Sequence, residues 1–253
     1  MKSTLVSIIM PAFNAGKTIK KSIESVFKQS YKNWELIIVN DASTDNTQEI
    51  VESLIKKEKR IVLLANKKNI GCALARDKGI EASNGRWIAF LDADDLWLPK
   101  KLETQIAFHK KSKAILSYTQ YRRIDQFGRL GRIIRTPNQV TYKELLKTNV
   151  IANSTVLYDT KNTSIEKILL GYPLSYDDYA RWLNITRDHG PAACLDDVLM
   201  LYFYNIQTYS GNKFKSLFKT WDVYRDSQNL SALKSIYYLL HYIVNGIKKH
   251  SRF

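Results

Sequence analysis

Cysteine is nearly absent from this 253-residue chain: only Cys72 and Cys194 occur, in separate apolar contexts. Two such residues cannot build a disulfide framework or a cysteine-based zinc site, and they suit a reducing compartment. The four histidines, His109, His189, His241 and His250, show no metal-ligand spacing. Long apolar runs are also missing. The best candidate, residues 236–247, carries His241 and Asn245 and falls short of the roughly 20 residues that span a bilayer. A leader peptide is not expected, because the apolar run at 5–10 has strand length and stops at Pro11. No Gly/Ser-rich linker, internal repeat or low-complexity tract interrupts the chain. Acidic residues are in deficit, 24 against 39 Lys+Arg, for a formal charge of +15. Such an excess points to a polyanionic partner: nucleic acid, an anionic membrane surface or a phosphorylated ligand.

At 45% hydrophobic residues, a chain of this length buries one full core with at most a small appendage. Its first hundred residues alternate regularly. Strand-like runs at 5–10, 34–39, 61–64 and 86–91 are separated by helical spacing at 17–29, from about 46, and at 71–82. Asp45, with Gln48 three residues on, reads as a capping box for the second helix. Pro99 opens a helix bearing Leu102, Ile106 and Phe108. Alternation of this kind predicts an α/β fold, a largely parallel sheet covered on both faces. Beyond about 112 the rhythm breaks. Residues 115–121, 155–158 and 198–204 read as strands, 142–147 and 178–188 as helices, and 128–135 as a basic loop.

The apolar run at 87–90 ends in Leu91-Asp92-Ala93-Asp94-Asp95. Clustered carboxylates repel and raise one another's pKa, a penalty that a divalent cation reverses. Oxygen-only ligands favour a hard ion, Mg²⁺ or Mn²⁺, over zinc. The competing reading is a solvated turn whose Asp caps the next helix. In parallel α/β sheets ligands bind at the carboxyl ends of the strands. Those ends here, 11–14, 41–45, 66–71 and 92–95, all carry polar, ligand-capable residues.

Taken in order, Pro11-Ala12-Phe13-Asn14, Asp41-Ala42-Ser43-Thr44-Asp45, Asn69-Ile70-Gly71 with Arg76, and Asp92-Ala93-Asp94-Asp95 resemble the family 2 glycosyltransferases of GT-A fold. The resemblance is close over about 5–100 and looser to about 210. It implies a Rossmann-like nucleotide-sugar half at 1–112, a mixed acceptor-side half at 113–215, and leaves 216–253 as a helical extension. Phe13 and the backbone at Pro11 and Asn14 would form a shelf for a uracil ring, with a core Phe as the alternative. Asp41 would accept the uracil imide proton. Asn69, Gly71 and Arg76 match the segment near ribose and pyrophosphate, Arg76 reaching a phosphate or a carboxylate. Asp92, Ala93 and Asp94 match the D-x-D element, with Asp92 towards ribose and metal and Asp94 towards metal and pyrophosphate. Asp95 would orient its neighbours or cap the following helix.

Farther on, Tyr176-Asp177-Asp178-Tyr179 resembles the family's Glu-Asp-Tyr/Trp element, with Asp replacing Glu at 177. In inverting members its second acid is the general base, so Asp178 is the first candidate and Asp177 the second. The alternative is that both acids only complement a helix N-terminus. A Tyr-Arg-x-His-x-x-Ser segment common in relatives is replaced here by Tyr204-Asn205-Ile206-Gln207-Thr208-Tyr209-Ser210, leaving Lys213 as a substitute cation. The resemblance implies a metal-dependent, inverting transfer of glucose or galactose from a UDP-sugar. The acceptor would be a saccharide on undecaprenyl pyrophosphate, in O-antigen, capsule or lipooligosaccharide assembly at the cytoplasmic membrane face.

Other classes compete. A nucleotide-sugar-binding protein without transferase activity would lack the base. A nucleotidyltransferase wants a Gly-rich, Lys/Arg-bearing loop after the first strand, and Asn14-Ala15-Gly16-Lys17 is a poor version. A nucleic-acid-binding domain would need a recognition helix, zinc site or aromatic platform, none of which is present. The C-terminal segment places Leu233, Ile236, Tyr237, Leu240, Ile243, Val244 and Ile247 at helical spacing, with Tyr238 and Tyr242 widening the stripe and Lys234, Lys248, Lys249, His250 and Arg252 around it. An in-plane membrane helix fits this pattern, as does a helix packed on the core or on a second copy.

Overall fold

The computed structural model describes residues 4–163, 168–204 and 213–250. The first half alternates as predicted: β1 (Val6–Ala12), α1 (Ile19–Phe27), β2 (Trp34–Asn40), α2 (Thr47–Ile55), β3 (Ile61–Ala65), α3 (Cys72–Glu81) and β4 (Trp87–Phe90). β1 lies parallel to both β2 and β4, and β2 parallel to β3. β1, β2 and β4 are buried on both faces, which is why they read as unbroken apolar runs, while β3 at the sheet edge is partly exposed. One face, with Ile9, Ile37, Val39, Ile88 and Phe90, belongs to one core cluster; the other, with Ile8, Met10, Leu36, Ile38 and Ala89, belongs to a second. Alternate side chains along each strand thus seed two cores. α3 lies close on the first face: a Cβ on Gly79 would come within 2.6 Å of the Ile9 side chain, so a larger residue would push helix and strand apart.

The second half contributes β5 (Leu96–Trp97), α4 (Lys101–Ser112), β6 (Leu116–Ile124), β7 (Leu130–Ile134), β8 (Gln139–Val140), α5 (Tyr142–Leu145), β9 (Leu157–Asp159), α6 (Asp177–His189) and β10 (Ala192–Phe203). Among the described residues ten strands make one sheet, ordered β3-β2-β1-β4-β9-β6-β10-β5, with β7 beside β6 and β8 beside β10. β9 runs antiparallel to β4 and to β6, while β10 is parallel to β6. The mixed half is therefore fused to the parallel half through β9. The chain winds outward from β1 to β3, then returns to place β4 on the other side of β1. That reversal is the topological switch point at which α/β sheets bind ligands.

Two local expectations are corrected. Residues 128–135 contain strand β7, paired antiparallel with β6; the charges that suggested a loop lie on an exposed edge, which tolerates them. The Asp45–Gln48 capping box is absent: the Asp45 carboxylate instead accepts from the Thr47 N–H (3.0 Å) and the Gly16 N–H (2.9 Å), and Gln48 pairs with Asn40 and Glu52. Two loops compete for Asp45, and the tertiary contact wins. A true capping box joins Thr141 and Glu144 at α5.

The C-terminal part comprises α7 (Lys213–Asp222), a π turn at Val223–Ser227, and α8 (Ala232–His250). Tyr238, Leu239 and Tyr242 pack on the first core cluster, with Tyr238 6.3 Å from Tyr224 and Tyr242 6.2 Å from Tyr179 between ring centres. Leu233, Ile236, Tyr237, Leu240 and Val244 point outward and are exposed. Tyr238 and Tyr242 thus do not widen the stripe of Ile236 and Leu240. Two residues of helix correspond to about 200°, which sends them to the opposite side. The side chains of Ile247, Lys248, Lys249 and His250, and residue Arg252, lie outside the described set. No described helix is long and apolar enough to cross a membrane.

Candidate active site

At the switch point the ends of β1, β2 and β4 and the start of α3 enclose a cavity of about 710 Å³. Pro11, Phe13, Asn14, Asp41, Asn69, Gly71, Arg76, Asp92, Ala93 and Asp94 all line it. Residues separated by over eighty positions are thereby brought to one wall. Phe13 is 52% exposed, so the core reading of that ring is set aside.

The loops after β1 and β2 are clasped together. Asn14 adopts φ +50° and Ala42 φ +58°, a left-handed backbone that costs a non-glycine residue roughly 1 kcal/mol. The Asn14 N–H donates to Ser43 Oγ at 3.0 Å, and Asn14 Oδ1 accepts from the Thr44 N–H at 2.8 Å. Behind this clasp Asp41 is buried. Its Oδ1 accepts from Asn66 Nδ2 (2.8 Å) and the Ile70 N–H (2.9 Å), and its Oδ2 from the Gly71 N–H (2.9 Å). Asn69 Nδ2 donates to the Asp41 carbonyl at 3.2 Å. Gly71, at φ +86°, makes the turn that aims its N–H at Asp41, a conformation open to glycine without strain.

The opposite end is rich in charge. Arg76 is buried and does not reach outward. Its Nη2 donates to Asp92 Oδ1 at 2.6 Å, and its Nη1 to both oxygens of Asp177 at 2.6 Å. Of the expected alternatives for Arg76, carboxylates are what it contacts. Asp177 also lies 3.5 Å from Arg181, which is itself paired with Asp77 at 2.8 Å. Asp77 accepts from the Leu170 and Gly171 N–H groups. A continuous chain of ion pairs, Asp92–Arg76–Asp177–Arg181–Asp77, buried beyond its half-exposed start at Asp92, thus joins the strand end of β4 to the segment leading into α6. Asp95 is turned away from the cavity and holds Ser154 Oγ (2.6 Å) and the Phe203 N–H (3.1 Å). It orients its neighbours and caps no helix.

Electrostatics separate the acids. Burial, followed by the charge of Asp177, pushes the Asp178 carboxyl up to about 6. Desolvation at the cavity wall and the charge of Asp92 push Asp94 up to about 6. Burial also acts upward on Asp177, but the guanidinium groups of Arg76 and Arg181 outweigh it and hold that carboxyl below its ordinary range. Neighbouring residues 177 and 178 are driven in opposite directions. Two carboxylates, Asp92 and Asp94, without histidine or thiolate, form a donor set suited to a hard ion. No group of three or more His, Cys, Asp or Glu converges among the described residues. An ion there would need further oxygens from the ligand, as Mg²⁺ bound with phosphates does.

Sequence reasoning missed the residues that hold this end in place. Asn153 Nδ2 donates to Asp92 Oδ1 (2.8 Å), and the Asp92 N–H donates to Ser154 Oγ (3.0 Å). Both come from a 3₁₀ turn, Asn153–Thr155, before β9. Asp77 and Arg181 were missed as well. Only the i, i+4 spacing of Asp177 and Arg181 was a local signal. Residues 205–212 and the Lys213 side chain, proposed to replace the missing basic segment, lie outside the described residues.

A doubly covered parallel half with an acidic switch-point cavity, continued by a mixed half, defines a glycosyltransferase of GT-A fold. The chain belongs to Glycosyl transferase family 2, whose family profile matches residues 7–167. It is 41% identical over 257 residues to the Escherichia coli UDP-Glc:alpha-D-GlcNAc-diphosphoundecaprenol beta-1,3-glucosyltransferase WfgD, covering 99% of this chain and 97% of that one. It is 36% identical to the Bacillus subtilis putative teichuronic acid biosynthesis glycosyltransferase TuaG, over 97% of both. Among solved structures, Staphylococcus aureus TarS 1–349 with UDP-GlcNAc superposes with a TM-score of 0.71 at 18% identity, over 94% of this chain and 71% of that one. The Pyrobaculum calidifontis mannosyltransferase PcManGT, with GDP-Man and Mn²⁺, gives 0.70 at 17% identity, over 92% and 69%. The binding-protein, nucleotidyltransferase and nucleic-acid readings give way to this family.

Proposed function

We propose that this glycosyltransferase moves glucose from UDP-glucose, with inversion, to a GlcNAc carried on a polyprenyl diphosphate during assembly of a bacterial surface polysaccharide. Near-full-length similarity to WfgD, and 37% identity to WfaP, an Escherichia coli enzyme of the same named activity, favours glucose over galactose as the donor sugar. A lipid-borne acceptor sets the reaction at the cytoplasmic membrane surface. Residues 1–112 would serve the donor, 113–215 the acceptor, and 216–253 the attachment of the enzyme.

The observation that carries the mechanism is the divergence of Asp177 and Asp178. A general base needs a carboxylate with affinity for a proton near the working pH. Asp178, raised to about 6, meets that need; Asp177, committed to Arg76 and Arg181, is a positioning residue. Asp178 takes the proton from the acceptor hydroxyl as that oxygen bonds to the anomeric carbon. The bond from that carbon to the diphosphate oxygen breaks on the opposite side, and UDP leaves with its electron pair.

On the donor side, a carboxylate offers about four acceptor positions, and three on Asp41 are taken. The one left, on Oδ2, matches a single imide N–H of uracil, while exposed Phe13 stacks on the ring. Asn69 and Gly71 shape the wall beside the ribose. Asp92 and Asp94 would hold Mg²⁺ or Mn²⁺, which when bound offsets the negative charge developing on the departing diphosphate.

Transfer of radiolabel from UDP-glucose to a GlcNAc-diphospho-polyprenol, with Mn²⁺ and with EDTA, tests the reading. Metal-dependent transfer from UDP-glucose, with UDP-galactose, GDP- and dTDP-sugars inert, is the expected result. Transfer from another sugar would overturn the donor assignment, and undiminished transfer in EDTA the metal assignment.

A further inference from the structure

α8 presents two faces of unlike fate. Its inner face is fixed in the core by Tyr238, Leu239 and Tyr242 and by a 3.1 Å hydrogen bond from Asn245 Nδ2 to the Lys147 carbonyl. Its outer face carries Leu233 (82% exposed), Ile236, Tyr237, Leu240 and Val244 at positions 3, 4, 7 and 11 after the first. That is one continuous apolar stripe, which the anchored inner face prevents from turning inward. Beside it, a groove of about 420 Å³ runs between α5 and α8, walled by Tyr142, Leu146, Tyr237 and Tyr238 with Lys143 and Lys234 on it. From Ser227 to Phe253 the sequence holds four Lys/Arg and no acidic residue.

We infer that the outer face of α8 docks on an anionic lipid bilayer, with the stripe in the headgroup–acyl boundary and the lysines against lipid phosphates. Charge selects this occupant. A second copy would set one basic segment of a +15 chain against another, whereas an anionic leaflet attracts each basic residue. An apolar face rimmed by lysine with a tyrosine at its border is the pattern of an interfacial helix. The inference rests on the lipid-linked acceptor proposed above and deepens it. Tyr242, on the inner face, packs against Tyr179, the residue after Asp178. Docking therefore fixes the base-bearing helix relative to the surface on which the acceptor is carried.

Flotation of the full chain with phosphatidylglycerol and with phosphatidylcholine vesicles tests it. The chain is expected to float with the anionic vesicles, and Ile236→Glu/Leu240→Glu to bind them about tenfold more weakly or worse. Lys143→Glu/Lys234→Glu should reduce the preference for phosphatidylglycerol. With a water-soluble, short-chain GlcNAc diphosphate the Ile236→Glu/Leu240→Glu variant should match the parent, while transfer to vesicle-embedded acceptor falls with binding. Unchanged flotation of that variant would overturn the inference, as would a parent dimer that the variant dissociates. Anionic flotation lost in the variant, with no transfer by the parent to either acceptor, would uphold the docking face and sink the proposed reaction.

Discussion

The two ends of the active-site cavity are built on different principles. At the Asp41 end a single carboxylate is met by backbone N–H groups and an amide, so its charge is spread over neutral dipoles and nearly satisfied. At the other end Asp92 and Asp94 line the wall, and together with Asp177 and Asp178, which do not line it, they act on one buried guanidinium, Arg76. Burial and then carboxylate neighbours raise the proton affinity of two of them, Asp94 and Asp178, against the pull of Arg76. The first end is finished before ligand arrives; the second keeps an electrostatic debt that a cation and an acceptor proton would settle. Pre-satisfied polar groups favour selection of a base, and unbalanced charge favours chemistry.

The largest effects should come from the charged end. Asp178→Asn is expected to lower kcat by roughly 10³-fold with UDP affinity, measured by calorimetry, unchanged. Equal loss of UDP binding would erase the contrast between the ends. In the parent enzyme the same group sets the acid side of the pH profile. The base works ionised, so kcat should fall as pH drops through about 6, by about tenfold per unit below it; a flat profile from pH 7 to 5 would count against Asp178. Arg76→Met removes the closer of the two guanidinium partners of buried Asp177 and should cost about 3 kcal/mol of stability in urea unfolding. If stability is kept and only transfer is lost, Arg76 touches the donor instead of holding carboxylates. Asp94→Ala should abolish the enhancement of UDP binding by Mn²⁺, leaving metal-free binding as in the parent. At the finished end effects should be smaller: Phe13→Ala should weaken UDP binding by about 1–3 kcal/mol, the worth of one stacked base, with kcat at saturation unmoved.

The same contrast governs what could be read without coordinates. The Asp41 end was legible because its residues lie at strand termini that apolar periodicity locates, and because one family motif follows another in order. The acidic pair Asp92 and Asp94 was legible for the same reason. Asp177 and Asp178 could be named, and ranked with Asp178 first, only through the family resemblance. Their difference depends on Arg76, 101 residues away, and contacts at that separation leave no periodic trace. Asn153 and Ser154 were invisible on similar grounds: a polar pair before a short strand looks like any loop until β9 seats it beside β4. Strand β7 was mistaken for a loop because an edge strand exposes charges as a loop does. On α8 the apolar positions were found, but helical spacing alone could not say which of two opposite stripes the core would claim.

The position of β9 has a consequence for how this molecule is made and remade. β4 closes one side of the parallel half, and its outer edge is covered by a strand drawn from far along the chain, Leu157–Asp159. Ser154, just before that strand, binds both the Asp92 N–H and Asp95. A fragment ending near residue 112 would expose an apolar strand edge, open to intermolecular pairing, and would leave the acidic turn without its clamp. During synthesis the nucleotide pocket can be sketched early but closes only once the polypeptide has doubled back. Chimeras that exchange acceptor specificity between relatives should therefore carry residues 153–159 with the donor half, whatever crossover the sequence boundary suggests.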